Sequence, residues 1–160
     1  LVQSYVVIHQ TGNVEEFGDY ARLSALRSTM TSEEKERYII KKHVLDDEIG
    51  AIYNTCDLVI GRSGANTFFE LVARGIPAIL IPLPDSAFEE QRAHAKILKD
   101  QGVVAVFEQD EDPSRLVQLV SKLISKKQLY EKAYRHIQTK YRSDATKIIL
   151  SALFDSKSPN

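Results

Sequence analysis

One cysteine, one methionine and no tryptophan occur in 160 residues. The lone Cys56 excludes an internal disulfide and a structural zinc site built from several thiolates, a usage that fits a reducing compartment. Glycine (7) and proline (5) are scarce, while 43% of the residues are hydrophobic and 27% charged, which excludes fibrous and disordered classes. Neither sign of charge dominates: 21 basic residues face 22 acidic ones, so nucleic acid is not indicated as a partner. No apolar run approaches the roughly 20 residues of a membrane span, and "AILIPL" (78–83) is far too short. No secretory signal is expected in these residues, because the first segment, "LVQSYVVIHQ", reads as a strand. With no initiator Met, the chain is expected to be a fragment or processed product that begins partway through a larger architecture. The length suits one domain, expected over 1–154, with the polar tail 155–160 frayed.

What is present alternates. "SYVVIH" (4–9) predicts a buried strand, and apolar positions at Val14, Phe17, Tyr20, Ala21 and Leu23 predict a helix over 14–27. A short polar helical turn and a strand near 38–42 follow. Asp46 and Asp47 mark a helix start, with Ile49, Ile52 and Tyr53 as its apolar face. Strands are expected at 57–60, 78–83 and 103–107. Helices are expected from the turn after 60 to Arg74 (closed by Gly75 and Pro77), over 86–102, over 110–124, and over about 128–141 and 143–154. Such alternation predicts an α/β fold, a Rossmann-like doubly wound parallel sheet with helices on both faces. Ligands in such sheets sit beyond the carboxyl ends of the strands. Three turns qualify: those after 4–9, after 57–60 and after 78–83.

The second of these, "GRSGANTFFELVARGIP" (61–77), is the most informative. Gly61 and Gly64 remove side chains where a backbone turns sharply or something approaches it. Ser63, Asn66 and Thr67 put small polar groups at a helix start, where unpaired N–H groups favour phosphate, and Arg62 adds a full charge. The run is neither a Walker loop nor GxGxxG. Two readings of Glu70 stand side by side. Thr67 and Glu70 match a capping box. Alternatively the helix starts nearer Gly64, and Glu70 lies in an apolar setting on one face with Asn66 and Thr67. A carboxylate placed there needs partners, and the two hydroxyls of a ribose would serve. Phosphate at the turn and ribose on Glu70 together describe a nucleotide.

"DLVIGRSGANTFFELVARGIPAILIPLP" with "EEQRAHAKIL", preceded in order by "IHQTGN" (8–13) and "HVLDDEIGAIYNTCDLVI" (43–60), resembles the C-terminal, donor-binding domain of MurG-like GT-B glycosyltransferases over about residues 4–150. Several roles follow from the resemblance. Leu45 would hold the uracil through main-chain groups. Ser63, Gly64, Ala65, Asn66 and Thr67 would hold the diphosphate, and Arg62 would face phosphate or base. Glu70 would bind the ribose. Glu90 and Gln91 would meet the sugar, although the family usually has Gln or His where Glu90 stands, and commonly Asn where His94 stands. Thr11 and Gly12 have weaker support, in another strand-end turn.

The resemblance further implies an inverting transfer of N-acetylglucosamine from UDP-N-acetylglucosamine to lipid-linked muramoyl-pentapeptide in peptidoglycan synthesis. The work would be done in the cytoplasm at the inner face of the membrane. The family's acceptor-binding N-terminal domain, which carries the general base, has no counterpart in these residues. No catalytic residue, metal or cofactor is therefore assigned, and the isolated half is expected to be inactive. Alternatives are a related transferase with another sugar or lipid acceptor, such as a diacylglycerol glycosyltransferase; a non-catalytic nucleotide-sugar-binding subunit that needs a partner chain; and a UDP-sugar epimerase. Four other features read as structural. His9 ends a strand, where contact with the cleft is the lesser alternative, and His43, His94 and His136 fit surface or partly buried, satisfied groups. Cys56 fits a small core residue. Asp46-Asp47 and Asp110–Asp112 fit helix starts, and "SKK" (125–127) fits a solvated helix end.

Overall fold

The computed structural model describes residues 1–84, 89–141 and 144–155. They form β1 (Val7–Gln10), a 3-10 turn (Glu15–Phe17), α1 (Asp19–Ser28), α2 (Ser32–Arg37), β2 (Tyr38–Lys41), α3 (Asp46–Thr55), β3 (Val59–Gly61), α4 (Ala65–Arg74), β4 (Ala78–Leu80), α5 (Glu90–Asp100), β5 (Val104–Val106), α6 (Pro113–Ser125), α7 (Lys127–Gln138) and α8 (Ala145–Asp155). The α/β class holds, and every strand pairing is parallel. By its internal contacts the chain divides into two compact units, Leu1–Thr55 and Cys56–Asn160. The strands make two sheets, β1-β2 in the first unit and β3-β4-β5 in the second.

In the first unit Val7 pairs with Tyr38 and Gln10 with Lys41. The expected burial of the first strand is not found: β1 is largely exposed, with Ile8 41% accessible. A two-stranded sheet has no interior strand, so its members keep one open edge each. The helix expected over 14–27 begins only at Asp19. Gly18 sits in the left-handed region (φ 58°), which a helix interior does not accept. α2 is short but well capped: Thr31 Oγ1 accepts from Glu34 N, and the Glu34 carboxylate accepts from Thr31 N. Asp46 and Asp47 lie in the first turn of α3, as expected.

The second unit holds most of the core. β4 is the central strand and is buried throughout, as suits a parallel strand covered on both faces. Phe68, Leu71 and Val72 form the inward stripe of α4 and are all buried. Full burial of Leu71 alone stabilises by about 1.5–3 kcal/mol. α4 ends as expected at Gly75 (φ 71°), whose N–H donates to Leu71 O at 2.8 Å. Gln138 of α7 adds a second closure, its Nε2 donating to Val72 O at 2.8 Å. At the start of α6, the Asp112 side chain accepts from Ser114 N at 2.7 Å, with Pro113 in the first turn. Cys56 is half-buried, and burial pushes its thiol up. Lys127 is not merely solvated: it pairs with Asp57 at 2.7 Å, which holds its ammonium above the usual range. The expected starts of the helices at 86 and 143 fall outside the described residues, as does the tail beyond Asp155.

Candidate functional site

The sequence between β3 and α4 builds an open turn. Its helix starts at Ala65 with Gly64 as N-cap, and no side chain caps it. The capping-box reading of Thr67 and Glu70 is therefore overturned: Thr67 already lies in the first turn. The first bond of the helix runs from Phe68 N to Gly64 O at 3.0 Å. The N–H groups of Gly64, Ala65, Asn66 and Thr67 have no partner among the described residues. Such a set favours an anion. Gly64 has an ordinary extended backbone (φ −65°, ψ 163°), and a Cβ built on it meets nothing within 4 Å among the described residues. Those residues do not themselves require glycine there.

The turn is held from behind. Ser63 is buried, and its Oγ donates to Gln91 O at 2.7 Å, so its hydroxyl is committed to α5. Nδ1 of His94 donates to Ser63 O at 3.2 Å. Ile81 N donates to Gly61 O at 2.8 Å, and Arg62 Nη1 donates to Ile81 O at 3.1 Å. Arg62 is exposed and keeps further N–H donors beside the turn.

Glu70 is exposed, which corrects the expectation of an apolar setting. Phe68, Leu71 and Val72 of α4 face inward, while Asn66, Phe69 and Glu70 are exposed, Phe69 with 59% of its surface accessible. Glu70 keeps its place on one face with Asn66 and Thr67. Its candidacy for ribose now rests on that position and not on the cost of burial.

Glu90 and Gln91 open α5. Glu89 before them has a left-handed backbone (φ 54°), a strained choice for a residue with a side chain. The Gln91 Oε1 accepts from Leu83 N at 3.2 Å, which leaves its NH2 as the end that can donate to a sugar hydroxyl. Glu90 is exposed, with its carboxylate 3.9 Å from His94 Nδ1.

The remaining candidates belong to the first unit. Thr11 donates from its N to Lys41 O at 2.9 Å, and Gly12 has φ 83°. Leu45 N donates to a Glu48 carboxylate oxygen at 3.2 Å, and Leu45 O accepts from Glu48 N and Ile49 N. The main-chain groups assigned to uracil are thus engaged within the chain. Lys41 pairs with the same carboxylate at 2.6 Å and is the main cause of its lowered pKa. Leu45 also lines an open recess of about 450 Å³ with Tyr20, Lys42 and Glu48. Lys42 Nζ lies 5.4 Å from the Tyr20 ring centroid, a pairing that sequence spacing did not indicate. His9 is exposed and hydrogen-bonds the Tyr38 hydroxyl at 2.9 Å. Among the described residues no cluster of three or more His, Cys, Asp or Glu could hold a metal, and no helix is long and apolar enough to cross a membrane.

Comparison with known proteins bears on this geometry. The family described as "Glycosyltransferase family 28 C-terminal domain" matches residues 2–148. A UDP-N-acetylglucosamine--N-acetylmuramyl-(pentapeptide) pyrophosphoryl-undecaprenol N-acetylglucosamine transferase of Rickettsia prowazekii is 37% identical over 110 residues, covering 68% of this chain and 28% of that protein. A protein of the same name from Natranaerobius thermophilus is 32% identical over 111 residues, covering 68% of this chain and 30% of its own length. The match thus spans less than a third of these relatives. Among solved structures, Acinetobacter baumannii MurG superposes with a TM-score of 0.71 at 25% identity, covering 92% of this chain and 40% of that one.

Proposed function

This chain belongs to the glycosyltransferase family 28 C-terminal domain family, and from that premise we propose that residues 1–154 are the donor-binding half of an inverting UDP-N-acetylglucosamine transferase. In the proposed reaction an acceptor hydroxyl attacks the anomeric carbon of the sugar. The bond to the diphosphate oxygen breaks, and UDP leaves with the electron pair. The acceptor is the lipid-linked muramoyl-pentapeptide of peptidoglycan synthesis, met at the cytoplasmic face of the membrane by a separate acceptor domain that supplies the base.

The work of this half is electrostatic. Charge develops on the leaving diphosphate, and fixed N–H dipoles aimed at that charge stabilise it without reorganising. Gly64, Ala65, Asn66 and Thr67 supply the amides, and Arg62 supplies a mobile positive charge once it releases the Ile81 carbonyl. Glu70 accepts from the ribose hydroxyls, and the NH2 of Gln91 donates to the sugar. Leu45 is proposed for the uracil, which requires Glu48 to yield its hold on the Leu45 N–H.

One observation supports the reading most: among the described residues nothing fills the space over Gly64, a glycine that neither its backbone angles nor its described neighbours demand. Titration of the chain with UDP and then UDP-N-acetylglucosamine, followed by backbone NMR, tests it. Shifts are expected to cluster at 44–46, 62–70 and 89–92. Glu70→Ala is expected to weaken UDP far more than inorganic diphosphate; equal losses would remove the ribose role. Glu90, which can accept but not donate, favours a second reading, a transferase with another sugar. Competition between UDP-glucose and UDP-N-acetylglucosamine separates the two.

A further inference from the structure

The turn that offers its amides is tied to α5 at one residue, Ser63. His94 Nδ1 donates to Ser63 O at 3.2 Å, while its other near neighbour, the Glu90 carboxylate, is at 3.9 Å. A carbonyl can only accept, so the imidazole carries its proton on Nδ1. The ring is kept in place by Phe68, a buried residue whose ring centroid is 5.2 Å away. Ser63 contributes a second bond to the same helix through its hydroxyl and Gln91 O. One buried residue is thus tied twice to the first two turns of α5.

The consequence follows from covalent geometry. Ser63 C=O and Gly64 N–H share one planar peptide, which is trans, so they point in opposite directions. Drawing the carbonyl toward α5 therefore turns the Gly64 N–H away from α5. A donor on the carbonyl also polarises the peptide and makes its N–H a stronger donor.

We propose that His94 is a positioning residue for the diphosphate: it holds the Ser63 carbonyl and so aims and strengthens the Gly64 N–H, the first amide of the cradle. This inference rests on the donor-half reading above. It also gives His94 a task of its own in this chain, one that the NH2 of an asparagine could perform in the same way.

Two measurements test it. Long-range 1H–15N NMR of the unliganded chain should find the His94 proton on Nδ1; a proton on Nε2 alone would overturn the inference whatever the chain binds. Titrations with UDP and inorganic diphosphate then compare the parent with His94→Phe, which keeps ring contact with Phe68 but cannot donate, and with His94→Asn, which can. His94→Phe should lose about tenfold in affinity for both ligands, or about 1.4 kcal/mol. His94→Asn should recover most of that loss, and the Gly64 amide should show the largest change in ligand-induced shift. Undiminished affinity in His94→Phe, or an equal loss in His94→Asn, refutes the positioning role while leaving the donor-half reading intact. A parent chain that binds neither ligand removes both.

Discussion

Replacing Gly64 by alanine separates what the fold needs from what a ligand needs. The backbone at 64 is extended (φ −65°, ψ 163°), a conformation alanine adopts without strain, and the added Cβ meets no atom of the described residues within 4 Å. Alanine is a poorer N-cap than glycine by about 0.5–1 kcal/mol. It also restricts the unfolded chain, which returns about 0.4–1 kcal/mol. The two effects nearly cancel, so the melting temperature should move by no more than about 2 °C. Binding has no such compensation. The methyl group would fill the space from which an anion reaches the amides of 64 to 67, so affinity for UDP and for inorganic diphosphate should each fall at least about tenfold, or 1.4 kcal/mol. Calorimetric titration of the parent and Gly64→Ala chains, with melts run in parallel, provides the assay. Unchanged affinity for diphosphate in a variant that melts normally would refute the cradle.

Three further outcomes follow from the same structure. The Tyr134 hydroxyl is buried without a partner among the described residues, and burial pushes its pKa well above the usual phenol range; Tyr134→Phe should raise stability by up to about 1 kcal/mol, read from urea unfolding, and a loss would show that the hydroxyl is bonded. Gly75→Ala should cost about 1–2 kcal/mol, because φ is 71° and the new Cβ would lie 3.3 Å from Gln138 Nε2; a neutral melt would contradict the left-handed end of α4. Lys41 first, and the Leu45 N–H second, hold the Glu48 carboxyl below its ordinary value of 4.5. A depressed folded-state pKa contributes stability that is complete above 4.5 and is lost as pH falls through the folded value. The Leu45 amide resonance should therefore stay constant through neutral pH and shift only in that acid range, and Glu48→Gln should abolish the shift.

Local rules were enough where one residue determines the outcome. Gly75 and Pro77 located the end of α4, Asp112 and Pro113 the start of α6, and the strand-helix alternation gave parallel pairing. They failed where the outcome depends on what covers a segment. β1 has the β-branched composition of a core strand yet lies in a two-stranded sheet with open edges. Glu70 stands in an apolar run, and its helix starts near Gly64 as one reading expected, yet the face that is buried carries Phe68, Leu71 and Val72 and leaves Glu70 at the surface; which side of a helix is covered depends on what packs against it. The brace on Ser63 was hidden for another reason. Its partners, Gln91 and His94, stand 28 and 31 positions away, beyond the reach of any local pattern.

The two ends of α4 have opposite fates. Its carbonyl end is closed by Gly75 and by the amide of Gln138, whereas its amide end has no protein group closing it among the described residues. The macrodipole of such a helix is quenched at its negative pole and exposed at its positive one. A preference for anions is then set by the direction in which the chain runs and not by any residue that gains or loses a proton. Acid or base strong enough to titrate every side chain nearby would leave that attraction in place for as long as the helix itself survives.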